Sequence, residues 1–145
     1  MEKALFAVSN RWTPDGELNL NYVARAREVI EIEADGLRRV SAGLGEEFNQ
    51  AVSLVLACLD RGNKIIVTGI GKNLPVGQKI AATMTSTGSP AVFLHATDAL
   101  HGELGILSDG DVVLALSYSG ESDELRTLIP AIKRRDVVII SLTGS

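Results

Sequence analysis

Scarcity narrows this chain before any motif does. It has one cysteine, two histidines and only 4% aromatic residues. A lone Cys58 excludes an internal disulfide, and its setting in the apolar stretch Ala51–Leu59 suits a small core residue. Two histidines and one distant cysteine fall short of the three or four ligands that a zinc site takes. With few aromatics, the core must be built from Val, Ile, Leu and Ala, as suits helices packed on a parallel sheet. No apolar run is long enough to span a membrane. Met1–Val8 shows no signal-peptide pattern, so the expected location is the cytoplasm. Basic excess is missing too. The net charge is −4, which argues against a nucleic-acid-binding surface or an anionic-membrane surface.

What is present reads as one α/β domain. Hydrophobic residues make up 46% of the 145 and charged residues 22%. Residues 1–17 read as an irregular lead-in with Asn10, Pro14 and Asp15-Gly16. From Leu18 to Leu44 apolar residues recur at three and four, predicting a long amphipathic helix opposite a charged face. Such a helix can pack on its own domain or on a second subunit. A second helix is predicted from Glu46 to Asp60 between Gly45 and Gly62. Strands are predicted at Lys64–Thr68, Pro90–Leu94, Asp111–Leu116 and Val137–Leu142. Between them lie a helix from Val76 to Thr87, a partly helical segment from Asp98 to Leu107, and a helix from Leu125 to Arg135. This alternation predicts a parallel sheet flanked by helices in three layers, with right-handed crossovers.

Ligands of open α/β sheets bind beyond the carboxyl ends of the strands. Polar residues gather there: Thr68 to Asn73, His95 to Glu103, Ser117 to Glu124, and Thr143. The run Ser117-Tyr118-Ser119-Gly120-Glu121-Ser122-Asp123-Glu124 joins a predicted strand to a predicted helix. A helix start offers unpaired N–H groups and the positive end of its dipole, so hydroxyls beside it suit an anion such as a phosphate. The plainer alternative is an ordinary serine cap. Gly69-Ile70-Gly71-Lys72 fits neither GxxxxGK[ST] nor GxGxxG, which sets nucleotide binding aside. Lys72 is either a solvated loop lysine or one that reaches a ligand. His95 and His101 suit hydrogen bonding or acid–base work, or a structural donor role. Glu121 and Glu124 complement a helix dipole in either case, and one of them, if buried, could serve as a general base.

Taken in order, these segments resemble a known family. Ser117-x-Ser119-Gly120-Glu121-Ser122 after an apolar strand resembles the phosphosugar loop of SIS (sugar isomerase) domains. The match extends to Thr68-Gly69-Ile70-Gly71-Lys72, Ala81-Ala82-Thr83, Ser86-Thr87-Gly88-Ser89-Pro90, and His95 with His101-Gly102-Glu103-Leu104-Gly105. That series resembles the arabinose-5-phosphate isomerases of the capsule and lipopolysaccharide type, over residues 20 to 145. The resemblance implies interconversion of D-ribulose 5-phosphate and D-arabinose 5-phosphate, toward the outer-membrane sugar Kdo. It implies Lys72, Glu124 and His101 as catalytic residues. Gly88, Ser89, His101, Ser117, Ser119, Gly120 and Ser122 are the implied substrate contacts. His95 is implied as a site of inhibitory zinc, with no cofactor required. A homo-oligomer, with a tetramer favoured, is implied as well, and the long helix from Leu18 is the candidate interface. The chain departs from the family at Asn73-Leu74-Pro75, where Ser-Gly-His is usual. The family's remaining catalytic Glu and His, and the paired CBS domains that often follow, would lie beyond residue 145. Residues 18–145 therefore read as an SIS domain without its C-terminal part. A sugar-phosphate-binding module without catalysis, or an isomerase of another phosphosugar, is the alternative.

Overall fold

The computed structural model describes residues 21–144. The expected lead-in at 1–17 and the first residues of the long helix lie outside that range. The chain divides into two compact units, Met1–Leu44 and Gly45–Ser145.

In the first unit, α1 runs over Tyr22–Gly43. The Asn21 side chain caps it by accepting from the Ala24 N–H at 3.0 Å, satisfying one of the orphan donors of the first turn. Exposed ion pairs such as Arg25–Glu28 decorate it and add little stability. None of its residues is buried, and Val23, Ile30, Leu37 and Val40 remain exposed.

The second unit is the sheet domain. Helix α2 spans Glu46–Asp60, as its periodicity predicts. The order continues as β1 (Ile65–Gly69), α3 (Asn73–Ser86), β2 (Ala91–His95), α4 (Ala96–Leu100), a 3₁₀ turn (Glu103–Ile106), β3 (Val112–Ser117), α5 (Asp123–Ile132) and β4 (Val138–Thr143). The sheet has the order β2-β1-β3-β4, and every pair is parallel. All five residues of β1 are buried. Alternate strand residues face opposite ways, so the sheet carries two cores. Ile65, Val67 and Leu116 pack with Ala81 of α3 and with Val55 and Leu59 of α2. Ile66, Leu94 and Val113 pack with Ala96 and Ala99 of α4 and with Leu125, Leu128 and Ile132 of α5. Each fully buried Leu or Ile contributes about 1.5–3 kcal/mol. The three-layer α/β architecture is the expected one.

Helices α3 and α5 differ from expectation at their ends. Helix α3 begins at Asn73 and not at Val76, because Pro75 falls in the first turn, where its missing N–H costs no bond. Helix α5 begins at Asp123 and ends at Ile132, short of Arg135, with Pro130 inside it. The proline can donate no bond back along the helix, and the chain leaves through short turn bonds such as Arg135 N–H to the Ile132 carbonyl at 2.9 Å.

At the amino ends of the strands, Asp111 is fully buried. Its carboxylate accepts from Lys64 Nζ at 2.7 Å, the Ser108 N–H at 2.8 Å and the Lys64 N–H at 3.1 Å. Its carbonyl accepts from the Val138 N–H at 3.2 Å, so one residue ties β1, β3 and β4 together. Burial pushes the Asp111 pKa up, but the Lys64 ammonium and the two backbone N–H groups outweigh it and hold the carboxyl below its usual range. A pKa lowered by folding stabilises above the unfolded value, and that gain is lost as pH falls through the folded value. Asp111→Asn should therefore destabilise the domain by about 3 kcal/mol at neutral pH. The deficit should close as urea titrations are moved to acid pH below the carboxylate range; a deficit that does not change with pH would remove the ion pair from this account.

Candidate functional site

β1 and β3 are neighbours, yet their following helices lie on opposite faces: α3 with one core, α5 with the other. The crevice between their carboxyl ends is thus the switch point of the sheet. Register brings Gly69 level with His95 and Leu116, and Ser117 level with Thr143.

The serine turn fills the crevice on the β3 side. Ser117 is buried, and its Oγ accepts from the Gly120 N–H at 3.0 Å. Ser119 Oγ accepts from the Glu121 N–H at 3.2 Å. Gly120 has a φ of 71°, a left-handed conformation that glycine adopts without a Cβ penalty. The Gly144 N–H donates to the Tyr118 carbonyl at 2.9 Å, which pins the turn to the end of β4.

Ser122 occupies the N-cap position of α5 but makes no side-chain cap bond. Its Oγ lies 3.5 Å from Ser117 Oγ instead. The ordinary-cap alternative therefore fails for the one serine best placed to cap. The opening N–H groups of α5 are left without a side-chain cap beside two clustered hydroxyls, a setting that suits an anion.

The other expected residues are distributed unevenly. Lys72 is exposed at the N-cap of α3, directly after the β1 turn. Asn73 follows it and donates from Nδ2 to the Leu116 carbonyl at 3.3 Å, a contact with no sequence signal because the two residues are far apart in the chain. Thr68 lies within β1, fully buried, not at the strand end, and its hydroxyl has no hydrogen-bond partner among the described residues. Glu124 stands in the first turn of α5 and is exposed, so the described residues do not supply the burial a general base would need. Glu121 pairs with Arg126 at 3.3 Å on the surface.

His95 ends β2 and caps α4, its Nδ1 accepting from the Thr97 N–H at 3.2 Å. His101 follows α4 and is exposed. No group of three or more His, Cys, Asp or Glu among the described residues could hold a metal ion. The cap bond engages Nδ1 of His95 and leaves Nε2 outside it.

Gly88 and Ser89 are not brought to this end of the sheet. They follow α3 and precede β2, with the Ser89 N–H donating back to the Met84 carbonyl at 2.9 Å. That puts them one strand length away, about 15 Å for five residues.

A doubly wound α/β domain with a hydroxyl-lined turn at its switch point is the class that this geometry defines. The profile of the SIS domain matches residues 59–145. The chain belongs to the SIS domain family. It is 43% identical over 127 residues to arabinose 5-phosphate isomerase KdsD of Pseudomonas aeruginosa, covering 88% of this chain and 38% of that one. It is 40% identical over 118 residues to arabinose 5-phosphate isomerase GutQ of Escherichia coli K12, covering 81% of this chain and 36% of that one. Among solved structures, an E. coli CFT073 protein in complex with arabinose 5-phosphate superposes with a TM-score of 0.79 at 31% identity, over 86% of this chain and 65% of that chain. The chain thus spans well under half the length of these curated relatives.

Gly120→Ala tests the geometry of the turn directly. An L-residue held in the left-handed region costs about 1–2 kcal/mol. The variant should lower the stability of the domain by that amount and speed exchange of the residue 120 amide. Unchanged exchange would mean that the turn is not held by its bond to Ser117.

Proposed function

We propose that the domain holds a pentose 5-phosphate and forms part of an aldose–ketose isomerase that interconverts D-ribulose 5-phosphate and D-arabinose 5-phosphate. The observation that carries this reading is the serine turn, with Ser122 turned from its capping role toward Ser117 at the start of α5. A net charge of −4 supplies no basic field, so a phosphate has to be held locally, by hydroxyls and N–H groups. Arabinose 5-phosphate isomerases among the relatives support the substrate class.

The chemistry asked of the site is modest. A base takes a proton from C1 of the ketose, the C–H electrons form the C1–C2 double bond, and the C2 carbonyl oxygen becomes an enediol oxygen. Return of that proton to C2, with transfer of the C1 hydroxyl proton to the C2 oxygen, gives the aldose. One acid–base group and one donor to the developing oxyanion suffice. Glu124 is the proposed base, and Lys72 or His101 the proposed oxyanion donor. Gly88, Ser89 and the serine turn are the proposed substrate contacts. No cofactor is called for. Formation of a Kdo precursor is the proposed place of the product.

Assembly is part of the proposal. Glu124 is exposed in one chain, and Gly88-Ser89 lie a strand length from the serine turn. Copies of the chain packed together, a tetramer being favoured, would bury the first and supply the second from a neighbour. Helix α1, with its exposed apolar residues, is the proposed contact. The same exposure of Glu124 favours a second reading, a sugar-phosphate-binding module without catalysis. No helix among the described residues is long and apolar enough to cross a membrane, and a cytoplasmic location is proposed.

A coupled assay on ribulose 5-phosphate, run with the full-length protein, separates the readings. Turnover is expected, with Glu124→Gln lowering kcat by about 10²–10⁴-fold. Binding without proton exchange at C1 or C2 would instead identify the binding module. Calorimetric titration with arabinose 5-phosphate should show Ser119→Ala weakening affinity by about 1–3 kcal/mol. Unchanged affinity would return Ser119 to a purely local role in the turn.

A further inference from the structure

One described side chain bridges the crevice between the carboxyl ends of β1 and β3: Asn73 reaches the Leu116 carbonyl with its Nδ2 at 3.3 Å. Its neighbours on both sides matter. Lys72 precedes Asn73, and Ser117 follows Leu116. The Asn73 N–H also donates to the Ile70 carbonyl at 3.0 Å, closing the turn that carries Gly71 and Lys72. Asparagine is common as a helix N-cap, where its oxygen accepts from the helix. Here the N-cap is Lys72, with no side-chain cap bond, and the asparagine amide is turned across the crevice instead.

Gly69 makes the contact possible. A Cβ on Gly69 would stand 3.1 Å from Asn73 Cβ, 3.2 Å from the Leu116 carbonyl oxygen and 3.3 Å from Leu116 Cβ. Its φ is not positive, so space and not backbone conformation calls for glycine. Asparagine carries its amide donor two bonds beyond Cβ, and that length spans to the Leu116 carbonyl.

We propose that Asn73 is a positioning residue, a latch that holds the Lys72 turn against the start of the serine turn. Its catalytic consequence rests on the isomerase reading, while the latch itself does not. Lys72 and the serine turn belong to loops after different strands, and the sheet alone does not set their separation. A displacement on the order of 1 Å between reacting groups can cost about a hundredfold in rate.

The test uses the full-length protein and the variants Asn73→Ala, Gly69→Ala, the double variant and Asn73→His. Histidine places its Nδ1 donor at the same number of bonds from Cβ as the asparagine amide. Amide exchange is read at the N–H groups that close the two turns, those of Asn73 and Leu74 in one and that of Gly120 in the other. Either single substitution should speed exchange in both turns together by about tenfold, and the double variant should add nothing further. With ribulose 5-phosphate, Asn73→Ala should lower kcat at least about tenfold with KM within about twofold, because the serines are untouched. Asn73→His should recover both readouts. If Gly69→Ala does not fold, the alanine and histidine pair at position 73 decides alone. Exchange in the serine turn that is unchanged in Asn73→Ala overturns the latch, whatever the activity. Additive effects in the double variant overturn it as well. Turnover absent from the wild-type protein would sink the isomerase reading, with the exchange result still deciding the latch.

Discussion

Burial of β1 on both faces is the constraint from which the rest of this domain follows. All five of its residues are buried, between α2 and α3 on one side and α4 and α5 on the other. A strand so placed can extend its polar neighbours only from its two ends. At the amino end, the fully buried Asp111 carboxylate receives Lys64 and two backbone N–H groups, and its carbonyl receives β4. That end is saturated with internal bonds. At the carboxyl end the helices diverge to opposite faces, and what they leave open is a crevice lined by loop residues.

The division of labour between the two ends has an electrostatic logic. A buried carboxylate that accepts several charge-assisted bonds is stable only as a closed network. The serine turn is the reverse case. Its hydroxyls satisfy the Gly120 and Glu121 N–H groups but leave the opening N–H groups of α5 without a capping side chain. Neutral donors at a helix start cost little to leave facing solvent and become valuable when an anion arrives. In an acidic chain, such a local field is what the proposed phosphate would rely on.

Much of the frame was legible from residue order. Helix α2 and the four strands follow from period and length, since β-branched runs such as Ile65-Ile66-Val67 have few other uses. The serine turn was visible because glycine, hydroxyls and a helix start coincide within eight residues. The bond from Asn73 to Leu116, by contrast, joins residues 43 positions apart and depends on the space beside Gly69. No local pattern announces such a contact. The position of Gly88-Ser89 was legible from order, because a loop that precedes a strand of a parallel sheet lies at the amino end of that sheet.

Sequence by itself determined the strands, the apolar faces, the acidic balance and the cluster of hydroxyls, because each depends on neighbours within a turn or two. Tertiary structure alone decided which loops share a crevice. It set Ser122 toward Ser117 and away from its helix, left Glu124 exposed, and drew Asn73 across to β3. The physical reason is that a parallel sheet orders its strands by packing and not by sequence: β1 pairs with β3 as well as with β2, and the candidate site is the gap which that pairing opens.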